Sequence, residues 1–219
     1  MTASAEPAAD LPEKSKTRSD ERRLDFLLEM YKETSAHLNR HILVTWQSIG
    51  VVAGALAVFG FGIANDARLD FVTAVVTVLC AWAIAHVYDA NNWFDRNLHI
   101  ISNIERQFLK QEDLGEVHPY FLSHRRETSS KELLLHFQIQ ALMPLALWVL
   151  IIAYHFWKRV WPGFQSPITN FEFVRAMPYV VAAASVAYCV YVILDTRKGY
   201  KTLAEKSPGK GANRSQSKG

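Results

Sequence analysis

Charge is missing from four long stretches of this chain. Ile42–Ala64, Phe71–Tyr88, Leu133–Trp157 and Met177–Leu194 contain no Asp, Glu, Lys or Arg. Each is about long enough to cross a hydrocarbon core of roughly 30 Å as a helix. Four such crossings absorb most of the hydrophobic residues and leave little for a separate soluble core. Cysteine is also scarce. The only two, Cys80 and Cys189, lie inside these windows, which excludes a disulfide framework or a zinc cluster as the organising device. No Gly-rich phosphate loop, nucleophile–base pair or metal signature appears, which weighs against an enzyme, and no pattern calls for a cofactor. The net charge of +3 makes no case for nucleic acid as a partner. Met1–Thr17 has no apolar core and is not expected to be a secretory leader.

Glycine and proline are absent from Glu13 to Ile49 and again from Phe71 to Leu114. These are the residues that punctuate helices. A first helix is therefore expected to start near Thr17 or Ser19, either of which can cap it, and to run directly into the first crossing, 42–64. The second crossing, 71–90, is expected to continue without a break to Leu114. One helix over those 44 residues would span about 66 Å, more than twice the hydrocarbon thickness. Its polar half, "HVYDANNWFDRNLHIISNIERQFL", must then project from the membrane. Phe94, Leu98, Ile101, Ile104 or Glu105, and Phe108 recur at helical spacing and form a seam that wants a partner. The short link between the first two crossings makes them antiparallel neighbours, so residues of about 20–41 supply that partner and the two extensions form a stalk.

Fold class follows: all-α, integral membrane, four crossings in two hairpins, with the first two extended into a cytoplasmic stalk. Residues 115–132 form a linker, with Ser129–Glu132 as a capping box for the third crossing, 133–157. Pro144 is expected to kink that crossing. The fourth crossing is 176–195. Residues 1–18 and the basic tail 197–219 are expected to be disordered, since neither can bury enough apolar surface to offset ordering. Orientation comes from Lys and Arg: seven up to His41, six in Asn91–Glu132 and seven after Leu194, against three in Lys158–Arg175 and one, Arg68, in the first link. Positive residues favour the cytoplasmic side, so both termini and the middle segment are expected inside. Lys158 and Arg159 then sit on the wrong side.

Several residues could carry chemistry. Gly50, Ala53, Gly54 and Ala57 form a small face on the first crossing, suited to close helix packing within one chain or between copies in a homo-oligomer. Glu33, His37 and His41 share a helix face and are candidate metal ligands or pH-sensing groups; a solvated face is the alternative. Asp89, Asn92, Trp93 and Arg96 cluster where the second crossing leaves the membrane. Gln47, His136 and Gln140 could line a cytoplasmic vestibule or make hydrogen bonds between helices. No crossing has a charge near its midpoint, which weighs against an ion-coupled transporter.

"ERRLDFLLEMYKE" leading into one crossing, and "YDANNWFDRNLHIISNIERQFL" leaving the next, resemble the small bacterial inner-membrane proteins of the SLATT-like type. In these a transmembrane hairpin continues into cytoplasmic helices. The resemblance covers about Glu21–Leu114; a second hairpin is a departure from that pattern. It implies a membrane effector in a bacterial defence or signalling system and supplies no active site. The expected function is thus a non-enzymatic oligomeric inner-membrane module that senses or transmits a cytoplasmic signal, with the bilayer and a cytoplasmic protein as partners. A channel or transporter for a small solute is the rival.

Overall fold

The computed structural model describes residues 13–63, 66–119, 135–165 and 172–206, and among these every regular element is a helix. Helix α1 spans Glu13–Gly62, α2 Asp66–Phe108, α3 Leu135–His155 and α4 Met177–Lys206. Single turns of 3-10 helix occupy Glu112–Gly115 and Phe173–Ala176. A π turn, Phe156–Val160, extends α3 and passes into a further 3-10 turn, Trp161–Gln165. Four helices are long and apolar enough to cross a membrane: Ser19–Gly62, Arg68–Phe108, Leu135–Phe164 and Phe173–Gly199.

Two ends run further than expected. Helix α1 begins at Glu13, so residues 13–18 of the presumed disordered tail are helical. They follow Pro12 and contain nothing that breaks a helix. Helix α4 continues through the basic segment to Lys206, two residues before Pro208. Leu133, Leu134 and the capping box Ser129–Glu132 lie outside the described residues. Pro144 sits inside α3, buried, without ending the helix.

Helix α2 is the hub. It packs along α1, α3 and α4, whereas α3 and α4 make few contacts with each other. Helices α3 and α4 each lean on α2. The composition explains this: α2 offers small and β-branched residues on several sides, with Ala74, Val76, Cys80, Ala81, Ala83 and Ala85 all buried. Such residues let neighbouring backbones approach closely. Ala55 and Phe59 of α1, Trp148 and Ile151 of α3 and Cys189 of α4 complete an apolar layer around Val76, Cys80 and Ile84. At the α1–α2 turn, a Cβ on Gly62 would lie 2.9 Å from that of Val72, so only glycine permits this close approach.

The seam continues past the apolar layer into the stalk. Leu38, Leu98 and Ile101 form a buried cluster with Tyr31 and Phe94 against them. Phe108 departs from the expected seam and is 41% exposed. The buried face runs through both Ile104 and Glu105, the two alternatives for the next seam position, and the Tyr31 hydroxyl donates to Glu105 at 3.3 Å. Arg23 donates to Gln107 further out. The stalk is a mixed interface, apolar at its centre and hydrogen-bonded towards its end.

Candidate functional site

The densest buried polar cluster among the described residues lies at the end of the bundle away from the stalk. Asp70, near the start of α2, is 1% exposed, and His155, at the end of α3, is 0% exposed. Arg159 comes from the π turn four residues later and is also buried. Its Nε donates to Asp70 Oδ1 at 2.9 Å, and a terminal nitrogen donates to Oδ2 at 2.8 Å. This fork-on-carboxylate geometry is the strongest form of the pair. The His155 Nε2 lies 2.9 Å from Asp70 Oδ1, and its Nδ1 lies 2.9 Å from the Tyr179 hydroxyl of α4. One assignment satisfies every atom with a neutral ring: Tyr179 donates to Nδ1, and Nε2–H donates to Asp70.

The cluster reaches the surface through Arg159, which also donates to Glu172 at 3.3 Å, while Arg175 donates to the same Glu172 oxygen at 2.9 Å. Arg175 beside Glu172 holds its carboxyl below the usual carboxylate range, and Arg159 adds to the effect. The chain from Asp70 through Arg159 to Glu172 ties α2 to the turn beyond α3 and to the segment that enters α4. The π turn widens the helix where it leaves α3 and brings His155 and Arg159 to the same carboxylate. Trp157, Trp161 and Phe164 surround this end on the outside, all exposed.

None of these residues was a sequence candidate, yet a signal was present. Asp70 is one of four acids that directly abut a charge-free window, and Arg159 is one of two bases that break the charge rule. An acid and a base at the same end of apolar helices can neutralise each other when buried.

The sequence candidates fare differently. Glu33, His37 and His41 do not converge on a metal position. Arg40 sits between the first two, 3.8 Å from Glu33 and 3.4 Å from the His37 ring, and a guanidinium there opposes a second cation. His41 meets the edge of Trp93. Among the described residues no three His, Cys, Asp or Glu side chains gather as a metal site. The membrane-exit cluster splits by helix face. Asp89 and Arg96 are exposed, with Arg96 over the Trp93 ring at 5.1 Å, and Asn92 is half-buried. The inward face holds Asn91 and Asp95, buried and hydrogen-bonded at 3.0 Å.

The expected vestibule is not assembled. Gln47 is exposed on α1, His136 packs edge-on to Phe94, and Gln140 is buried with neither side-chain amide atom hydrogen-bonded. Gly50 and Gly54 face open space: a Cβ on either meets nothing within 4 Å, and Ala53 and Ala57 are exposed beside them. The small face is therefore not used for packing within the described chain.

No protein-family model, curated protein or solved structure matches this chain.

Proposed function

We propose that this protein is a non-enzymatic, oligomeric module of the bacterial inner membrane that carries a cytoplasmic signal along α1 and α2 into the bilayer. One observation carries the reading. The same two unbroken helices pack on each other in the stalk, at Leu38, Leu98 and Ile101, and in the apolar layer, at Ala55, Phe59, Val76 and Cys80. A shift at the stalk is thereby coupled mechanically to the crossing, because packed helices move as bodies and not as independent side chains. Leu24, Phe26 and Leu28 are exposed on the stalk, a surface suited to a cytoplasmic protein partner. The open Gly50–Ala57 face suits a second copy. The resemblance to SLATT-like proteins adds that the response perturbs the membrane, as a defence effector would.

A channel or transporter for a small solute is the second reading. It is favoured by polar side chains buried inside the bundle: Thr73 and Thr77 on α2 and Gln140 on α3. Against it stands the packed apolar layer of Val76, Cys80, Ile84, Trp148 and Ile151 between the two ends.

The test uses the full chain with Cys80 and Cys189 replaced by alanine and a Leu38→Cys, Leu98→Cys pair in the stalk. Membrane leakage is measured by dye uptake in a bacterial host, with the pair oxidised and reduced. The module predicts that leakage depends on the redox state of the stalk pair. Selective solute flux in liposomes that ignores the stalk pair would replace this reading with the channel.

A further inference from the structure

We infer that a water site lies buried beneath the Asp70–His155 pair, held by the hydroxyls of Thr73 and Thr77. This stands independently of the proposed function. Both threonines are 0% exposed, and neither hydroxyl has a hydrogen-bond partner.

The chain supplies its own control. Thr34 donates to the Met30 carbonyl at 2.6 Å, Thr45 to His41 at 2.8 Å, Thr196 to Val192 at 2.9 Å and Thr202 to Lys198 at 3.0 Å. Bonding to the carbonyl one turn back is how a helical threonine ordinarily satisfies itself, in lipid as in water. Thr73 and Thr77 do not make this bond. Their hydroxyls lie inside a bundle, where an unmade hydrogen bond is at its most expensive.

The position says what they serve. Asp70, Thr73 and Thr77 are spaced i, i+3 and i+7, so they share one face of α2. Asp70 accepts three hydrogen bonds, one from His155 and two from Arg159. A carboxylate offers about four acceptor sites, so one remains. The Tyr179 oxygen, having donated its proton to His155, also keeps lone pairs. A buried water makes about three hydrogen bonds, commonly to groups left unsatisfied by the protein. The two hydroxyls, about 6 Å apart along α2, can share one such water, and the spare Asp70 site lies a turn further out, within reach of a second water on Thr73. A cation fits worse, because Arg159 already neutralises the only carboxylate there. Such waters would extend the Tyr179–His155–Asp70 chain inward by about two turns, alongside the apolar layer of Leu69, Val76 and Cys80.

The experiment compares thermal unfolding of the full chain in detergent with Thr73→Val/Thr77→Val and Thr73→Ser/Thr77→Ser, in sodium, potassium and choline chloride. Valine keeps the shape and removes the hydroxyl; serine keeps the hydroxyl and removes the methyl. A water site predicts that the valine pair melts lower by roughly 2–4 °C or more, that the serine pair melts closer to the native chain, and that the salt does not matter. Valine melting unchanged or higher overturns the site, since unpaired hydroxyls replaced by methyls cost nothing. A serine loss as large as the valine loss overturns it in favour of methyl packing. A sodium- or potassium-dependent gain that the valine pair abolishes overturns water in favour of a bound cation. If the valine pair is not recovered, Thr77→Val against Thr77→Ser gives the same comparison.

Discussion

Arg159 grips both oxygens of Asp70 across 89 residues of sequence, at 2.9 and 2.8 Å, with neither side chain more than 8% exposed. The pair joins the start of α2 to the turn after α3. It is expected to matter most when broken on one side. Removing one partner of a buried pair leaves the other charged and desolvated, at a cost of about 3–5 kcal/mol. Arg159→Gln should therefore destabilise strongly. Adding Asp70→Asn should recover part of the loss, because no charge is then stranded. Chemical unfolding of the two single variants and the double closes the cycle. Additive losses would show that the pair does not act as a unit.

Topology is the next expectation. Arg159 stands on the side the charge rule disfavours and is paired there with Asp70, yet the counts of seven, six and seven against three and one still set the expected orientation. A reporter active only outside the cytoplasm should be silent when fused after Leu114 and active when fused after Gly163. The reverse pattern would overturn the four-crossing arrangement.

The stalk can be tested with one chemistry at two positions. Ile101 is fully buried and Leu28 is 53% exposed. Ile101→Asp places an unpaired charge in the seam, at a cost of several kcal/mol. Leu28→Asp should leave the fold intact. Limited proteolysis of the paired polar halves of α1 and α2 should quicken for the first variant alone; equal digestion of both would mean the seam is not buried.

Because Gly50 and Gly54 meet nothing within the described chain, bulk added there has room in a single copy. Gly50→Leu with Gly54→Leu should express and insert at native abundance while losing the proposed oligomer. Mass in detergent, measured alongside abundance, checks this. A native oligomeric mass would remove the small face as a subunit contact; degradation would point to a role inside the chain.

Glu172 gives a pH dependence of known sign. Its folded carboxyl is depressed, chiefly by the hydrogen bond from Arg175, so its contribution is present at neutral pH and is lost as pH falls through the lowered value. Glu172→Gln should melt below the native chain at neutral pH and level with it in acid. Glu172 is exposed, so the gap should be small and shrink in high salt. A gap that persists unchanged in acid would mean the side chain acts by shape and not by charge.

The four apolar windows, the helices that overrun them and the buried stalk positions Leu98 and Ile101 were legible in the residues alone. Those properties depend on hydrophobicity and breakers taken in order along the chain, and apolar windows of that length have few ways to be satisfied. The role of α2 as hub, the exposure of Phe108 and Gln47 and the splitting of the membrane-exit cluster were not legible. Each depends on how far a helix is rotated about its axis, which small residues on several sides of α2 leave undetermined until the neighbours dock. The cluster of Asp70, His155, Arg159 and Tyr179 needed the tertiary structure most. Its members come from three separate helical segments, and nothing in the sequence links one to another across up to 109 residues. Only packing, by taking them out of solvent together, turned four unremarkable side chains into one network in which each satisfies the others.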